Sequence, residues 1–158
     1  MGLNGELALF IGPTSNTDKC DAVASWAPVN VVWGRDNRTT GFRIVGDGAG
    51  LHIENRFPGG DMNAYLAYAA EVGAGLYGID HKIEPPAEYR GNGYAATGCD
   101  RMPRALYEAV DLLESSQAAV EIFGQDVLDH YLNAARVERD ADDAAVTAGD
   151  RESYLVRG

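Results

Sequence analysis

An α+β fold, with antiparallel strands followed by a helical C-terminal region, is predicted for this chain from three observations. Residues 30–33 are rich in β-branched and aromatic side chains, residues 39–45 alternate partly and residues 51–57 alternate well between apolar and polar. Gly46-Asp47-Gly48-Ala49-Gly50 is a glycine-rich link suited to a hairpin, and sequence-adjacent strands with short links pair antiparallel. Beyond residue 60 the apolar period changes to that of a helix, and apart from the loop at 88–101 the remainder reads as helical.

Taken in order, residues 7–10 are a short apolar stretch, the end of a helix or a strand, and residues 12–25 read as a polar loop. The three strand segments follow, and Pro58-Gly59-Gly60 breaks the last of them. Asp61 or Asn63 is the expected N-cap of a long helix reaching about Ile79. Leu66, Ala69, Ala70, Gly73, Leu76 and Tyr77 would form its buried stripe, and its many small residues predict a close neighbour. Pro85-Pro86 ends that unit, and residues 88–101 read as an irregular surface loop. Leu106, Ala109, Val110 and Leu113 mark a second helix, a short helix ends at Gly124, and Leu128, Tyr131, Leu132 and Ala135 mark another. The tail from Glu138 is acidic and expected to be helical and weakly anchored.

Composition narrows the function classes. At 158 residues, with 46% hydrophobic and 23% charged residues, the chain has the size and make-up of one globular domain. No apolar run approaches the roughly 18–20 residues that span a bilayer, and the first residues lack the basic-then-apolar pattern of a secretory signal. A cytoplasmic location is therefore expected, without membrane attachment. A net charge of -11 argues against nonspecific nucleic-acid binding, which needs a cationic surface. Cys20 and Cys99 sit in no CxxC pair, and with three histidines a structural zinc site is not expected. Both are read as free thiols.

One segment carries chemistry. In a strand over 51–57, Leu51, Ile53 and Phe57 share a face able to pack on helices, while His52, Glu54 and Arg56 share the other. A row of imidazole, carboxylate and guanidinium is either a solvated sheet face or a site. In the preceding strand Phe42 and Ile44 are the apolar side and Arg43 projects from the other, so hairpin pairing would bring Arg43 beside Glu54 and Arg56. Arg38, at the loop entering that strand, would extend the cluster. Guanidiniums bind phosphate and carboxylate through paired hydrogen bonds, which suits an ATP-using site. No P-loop and no strand–GxGxxG–helix arrangement is present, so a nucleotide would be held differently. Glu54 could join an oxygen-rich Mg²⁺ site, yet one carboxylate does not build such a site.

The blocks Asn30-Val31-Val32-Trp33-Gly34-Arg35-Asp36-Asn37-Arg38, Phe42-Arg43-Ile44 and Ile53-Glu54-Asn55-Arg56-Phe57-Pro58-Gly59-Gly60-Asp61 resemble the glutamine synthetase family. So do Leu76-Tyr77-Gly78-Ile79 with Lys82, and the run from His130 to Glu138, in order and across almost the whole chain. The resemblance implies the C-terminal portion of that family's catalytic domain over residues 1–158. The family's N-terminal β-grasp domain and the first half of its catalytic domain lie outside this match. It implies ATP and Mg²⁺ (or Mn²⁺) as cofactors, glutamate and ammonia or a small amine as substrates, and a homo-oligomer for the full-length form. By position, Arg38 and Arg43 match arginines that contact ATP phosphates and the phosphorylated intermediate, Arg38 being the catalytic candidate. Glu54 matches a metal-ligating glutamate, and Arg56 an arginine that binds the glutamate substrate. The family reaction phosphorylates the γ-carboxylate of glutamate and then lets ammonia or an amine displace phosphate.

Three positions depart from the family pattern. Cys20 ends the block from Phe10 where an arginine would bind the substrate carboxylate. Trp26 stands where ammonia-using members have a glutamate that helps deprotonate ammonium, which resembles the branch joining glutamate to larger amines. Trp26 as a simple filler of an apolar gap is the other reading. His52 replaces an arginine near the nucleotide, keeping hydrogen bonding but losing permanent charge. Without the carboxylates of the missing half, the chain alone is expected to be inactive, with an unpaired sheet edge that weakens it. A non-catalytic remnant or assembly module docking onto intact ligase subunits is the alternative.

Overall fold

The computed structural model describes residues 1–14 and 27–157. Cys20, Trp26 and most of the expected polar loop over 12–25 lie outside the described residues. The elements are α1 (Ala8–Ile11), β1 (Trp33–Arg35), β2 (Phe42–Val45), β3 (His52–Asn55), α2 (Ala64–Asp80), α3 (Leu106–Ser115), α4 (Gln117–Phe123), α5 (Gln125–Ala144) and α6 (Ala148–Arg157). The α+β arrangement matches the expectation, with a small sheet preceding a helical half.

The three strands are ordered β1-β2-β3. β2 and β3 pair antiparallel, with Arg43 opposite Glu54 and Ile44 opposite Ile53, as the hairpin reading required. β1 and β2 are parallel, which corrects the expectation that all neighbours would be antiparallel. The Asp36 N–H donates to Ile44 O at 3.0 Å and the Phe42 N–H to Val32 O at 3.1 Å, the slanted rungs of a parallel ladder. The reversal happens inside loop 36–41. Asp36 adopts φ +45°, a left-handed conformation that Asp tolerates better than most residues. The Thr40 hydroxyl, fully buried, lies 2.8 Å from Asn37 O and 2.9 Å from Phe42 O and folds the loop back on itself. The chain therefore re-enters the sheet in its original direction. Residues 30–32 are not a strand proper; Asn30 only bridges to Arg101.

Two apolar clusters hold the fold. The larger one gathers Leu9, Phe10, Val110, Leu113, Leu128 and Leu132 from α1, α3 and α5. Phe10 stacks between Phe123 and Tyr131, each ring centroid 4.5 Å away, so the short α1 is the hub of the helical half. The smaller cluster, Ile11, Val31, Phe42, Phe57 and Ala67, lies under one end of the sheet. α2 touches both clusters, through Ala70 and Ala67 respectively.

α2 begins as expected at Asn63, whose side chain accepts hydrogen bonds from the N–H groups of Tyr65 and Leu66. The expected close neighbour is α4, since a Cβ on Gly73 would lie 2.3 Å from Ile122 Cγ2. The predicted buried stripe needs correction. Ala70 is buried, but Ala69 and Leu76 are exposed, and Tyr65, Tyr68, Val72 and Ile79 form an outward apolar stripe with Leu76. A helix apolar on nearly every side is built to be covered all round. Leu51 and Ile53 also depart from the expectation that they pack on helices, Ile53 being 66% exposed. α2 covers only the Phe42–Phe57 end of the sheet. Ile44 and Ile53 instead line an open cleft of about 400 Å³ against Glu71, Ala74 and Gly75.

At the covered end, a Cβ on Gly41 would fall 1.9 Å from Phe57 Cζ. Gly41→Ala must push Phe57 off Phe42, whose rings meet edge to face at 5.4 Å. Overpacking of this kind costs about 1–3 kcal/mol, so the thermal midpoint is expected to drop by roughly 3–10 °C, read by a circular dichroism melt. An unchanged midpoint would mean that the ring moves aside freely.

Candidate active site

The hairpin register assembles the site. Because Arg43 and Glu54 are direct cross-strand partners, their side chains rise from the same face, and Arg56 follows two residues after Glu54. Arg43 Nη1 donates to Glu54 Oε2 at 2.9 Å, and Arg56 Nε lies 3.4 Å from Glu54 Oε1. One carboxylate thus aligns two guanidiniums in a row. Arg43 is the more enclosed member, with its side chain 15% exposed against 39% for Glu54. Its Nη2 also donates to Asp36, and hydrogen bonds to Asp36 and then Glu54 raise the Arg43 pKa further, keeping it charged. Among the described residues the buried Arg43 Nε has no hydrogen-bond partner.

Arg38 projects from loop 36–41 and is exposed, and its carbonyl accepts a hydrogen bond from Arg56 Nη1. The substrate-side and phosphate-side candidates are therefore joined through the backbone. His52 shares the face but sits at the far end of β3, exposed, with its Nδ1 2.8 Å from Gly50 O. It belongs to its own turn and makes no ion pair with the cluster. The structure thus brings Arg43, Glu54 and Arg56 together, ties Arg38 to them through its backbone carbonyl, and leaves His52 at the margin.

Glu54 is fully engaged by arginines, and among the described residues no three His, Cys, Asp or Glu side chains gather as a metal site. Mg²⁺ takes six oxygens in near-octahedral geometry, so this chain's residues do not by themselves fit it. The guanidiniums do fit the phosphates of ATP, Arg38 being exposed and Arg43 held in place. On the opposite face of β3, Asn55 Nδ2 donates to Glu71, whose carboxyl is pushed up by burial, an effect its Asn55 bond partly offsets. That pair lines the apolar cleft rather than the arginine row.

Sequence reasoning missed Asp36, which grips Arg43, and the bonds that tie down the segment after Pro86. Residues 88–101 are the expected irregular surface loop, but one bonded to the sheet region. Tyr89 N–H donates to Trp33 O at 2.9 Å, Val31 N–H to Asp100 O at 2.8 Å, and Asn30 Nδ2 to Gly93 O at 2.8 Å. The Glu88 carboxylate accepts from the Arg35 N–H and from the Arg90 guanidinium, which lowers its pKa. The Asn37-Arg38-Thr39 triplet is a sequence signal for the local Asx turn, though not for its contact with residues 91–93.

Comparison with known proteins agrees with the geometry. Residues 3–154 match the family described as glutamine synthetase, catalytic domain. The gamma-glutamylethanolamide synthetase GlnA4 of Streptomyces coelicolor is 49% identical over 142 residues, covering 90% of this chain and 30% of that protein. The glutamate–isopropylamine ligase of a Pseudomonas species is 39% identical over 134 residues, covering 83% of this chain and 29% of that protein. The ligand-free structure of GmaS superposes with a TM-score of 0.83 at 27% identity, over 98% of this chain and 36% of that one. The chain thus spans about a third of the length of these relatives. Among the described residues no helix is long and apolar enough to cross a membrane. With the family match covering almost every residue and the arginine row standing in register, this chain belongs to the glutamine synthetase family, within its catalytic domain.

Proposed function

We propose that this chain forms one wall of the active site of an ATP-dependent ligase joining the γ-carboxylate of glutamate to an amine through γ-glutamyl phosphate. The observation that carries this reading is the Arg43–Glu54–Arg56 row built by the β2–β3 register. Arg38 and Arg43 bind the transferring phosphoryl group and stabilise the charge that develops on its oxygens. Arg56 holds the glutamate substrate and Glu54 orients both arginines; Glu54 would serve Mg²⁺ or Mn²⁺ as a ligand only by giving up one of these arginine contacts. His52 reaches the nucleotide from the margin. Residues 1–158 act as the C-terminal portion of the catalytic domain in a full-length homo-oligomer that works in the cytoplasm. The remaining carboxylates come from polypeptide beyond this segment.

An amine is favoured over ammonia because two of the relatives carry ethanolamide and isopropylamine in their names, and because Trp26 cannot take a proton from ammonium. The second reading, a module that docks onto intact ligase subunits, draws support from the outward apolar stripe of α2 and from Cys20. Phosphate release is the deciding measurement, with ATP, Mg²⁺, glutamate and either ethanolamine, a polyamine or ammonia. The 158-residue chain alone is expected to release none. An active ligase containing it is expected to release phosphate faster with the amine, giving a γ-glutamyl amide by mass spectrometry. Faster release with ammonia would assign glutamine synthesis instead. If no active ligase can be formed with the segment while it still binds intact subunits, the docking reading holds.

A further inference from the structure

The loop that carries Arg38 is fixed from a distant part of the chain. Within the loop, Asn37 Oδ1 accepts from the Thr39 N–H at 3.0 Å and lies 2.7 Å from Thr39 Oγ1. Across the fold, Asn37 Nδ2 donates to Gly91 O at 2.8 Å, and the Gly93 N–H donates to Thr39 Oγ1 at 2.6 Å. The contact is backbone against backbone, because a Cβ on Gly93 would lie 2.3 Å from Thr39 O and 2.7 Å from its carbonyl carbon. The far side is itself anchored, since Asn30 Nδ2 donates to Gly93 O. Neither Asn37 nor Thr39 presents an ionic group, yet the residue between them is the exposed Arg38, and Arg56 bonds to its carbonyl.

We propose that Asn37 and Thr39, clamped to residues 91–93, are positioning residues that set where the Arg38 guanidinium stands and so govern the phosphoryl-transfer step. This rests on the reading of Arg38 as a phosphate ligand. An arginine on an unpinned loop has to be ordered each time the phosphate arrives, whereas a clamped loop presents it in place. The Thr39 hydroxyl is the shared joint, accepting from Gly93 while turned toward Asn37. Asn37 has a double role, its oxygen closing the local turn and its NH₂ reaching Gly91.

The test compares Thr39→Val with Thr39→Ser. In the 158-residue chain, Thr39→Val is expected to speed hydrogen exchange of the Gly93 amide at least about tenfold, with Thr39→Ser close to wild type. In an active ligase containing the segment, Thr39→Val is expected to lower kcat for phosphate release by roughly 10- to 100-fold, the scale of a misplacement near 1 Å, with Thr39→Ser restoring it. Asn37→Asp, which keeps the turn but sets a carboxylate against Gly91 O, is expected to behave like Thr39→Val. Wild-type turnover in Thr39→Val beside a dead Arg38→Ala overturns the clamp and leaves the site reading intact. Equal loss in the valine and serine variants also overturns it, because the hydroxyl is then not the joint. Wild-type turnover in Arg38→Ala sinks the reading of Arg38 itself.

Discussion

In an active ligase containing this segment, Glu54→Ala is expected to remove at least about 99% of turnover while leaving the fold nearly as stable as before. Both halves follow from where the carboxylate sits. It is the shared partner of Arg43 and Arg56, at 2.9 Å and 3.4 Å, and without it the two guanidiniums repel each other and lose their common line. Removing one preorganised electrostatic group from an active site costs about 10²–10³ in kcat, and Glu54 aligns two such groups. The fold suffers less because the Glu54 side chain is 39% exposed, so water screens the pair and the loss is of the order of 1 kcal/mol. Arg43 also retains Asp36. Glu54→Gln keeps the size but only one acceptor and no charge, so it should hold one of the two arginines at most and should not recover turnover. Phosphate-release kinetics and a thermal melt on the same preparations measure both quantities. More than a tenth of wild-type turnover in Glu54→Ala, or a midpoint lowered by more than about 5 °C, would contradict this assignment.

The arginine row was legible in the sequence because it depends only on period-two alternation and a short glycine-rich link, both local features. The cap at Asn63 was legible for the same reason. The parallel pairing of β1 with β2 was not. Adjacent strands with a short link ordinarily turn back, and only the left-handed Asp36 and the buried Thr40 hydroxyl reverse the chain twice within loop 36–41. The irregular surface loop over residues 88–101 was legible from its polarity, whereas its hydrogen bonds to Val31, Trp33 and Thr39 are not visible in sequence. The apolar patterns of residues 51–57 and of α2 were misread in a different way. Periodicity reports that Ile53, Leu76 and their neighbours are meant to be covered, but not which segment covers them. In this chain those faces are open to solvent. Family resemblance supplied roles for Arg38, Arg43, Glu54 and Arg56, and geometry added Asp36, Asn37 and Thr39 as the residues that hold them.

Phe10→Ala is expected to do the reverse of Glu54→Ala, losing activity through the fold. Phe10 is 0% exposed and stands between two nearly parallel rings, at 16° to Phe123 and 6° to Tyr131. It pins the one-turn α1 between the end of α4 and the middle of α5, helped by the Tyr131 hydroxyl donating to Leu9 O at 2.9 Å. Truncation leaves a cavity that two stiff rings cannot close, and Phe→Ala at such sites costs about 3–5 kcal/mol. A domain of this size has only about 5–15 kcal/mol in total, and one that exposes a long apolar helix face belongs near the lower end. The damage also reaches the site. Ile11, the next residue of α1, accepts the Gly59 N–H at 2.8 Å, three residues after Arg56, so freeing α1 loosens the segment that leaves the Glu54 strand through Arg56. Denaturant unfolding should show the midpoint falling by most of the transition, with near-ultraviolet circular dichroism of the ring stack lost first. Phe10→Leu, which keeps most of the volume but not the stacking, is expected to cost no more than about 1.5 kcal/mol and to retain activity. Equal losses in the two variants would mean that ring stacking rather than filled volume is what holds α1, and an intact midpoint in Phe10→Ala would remove α1 from the core altogether.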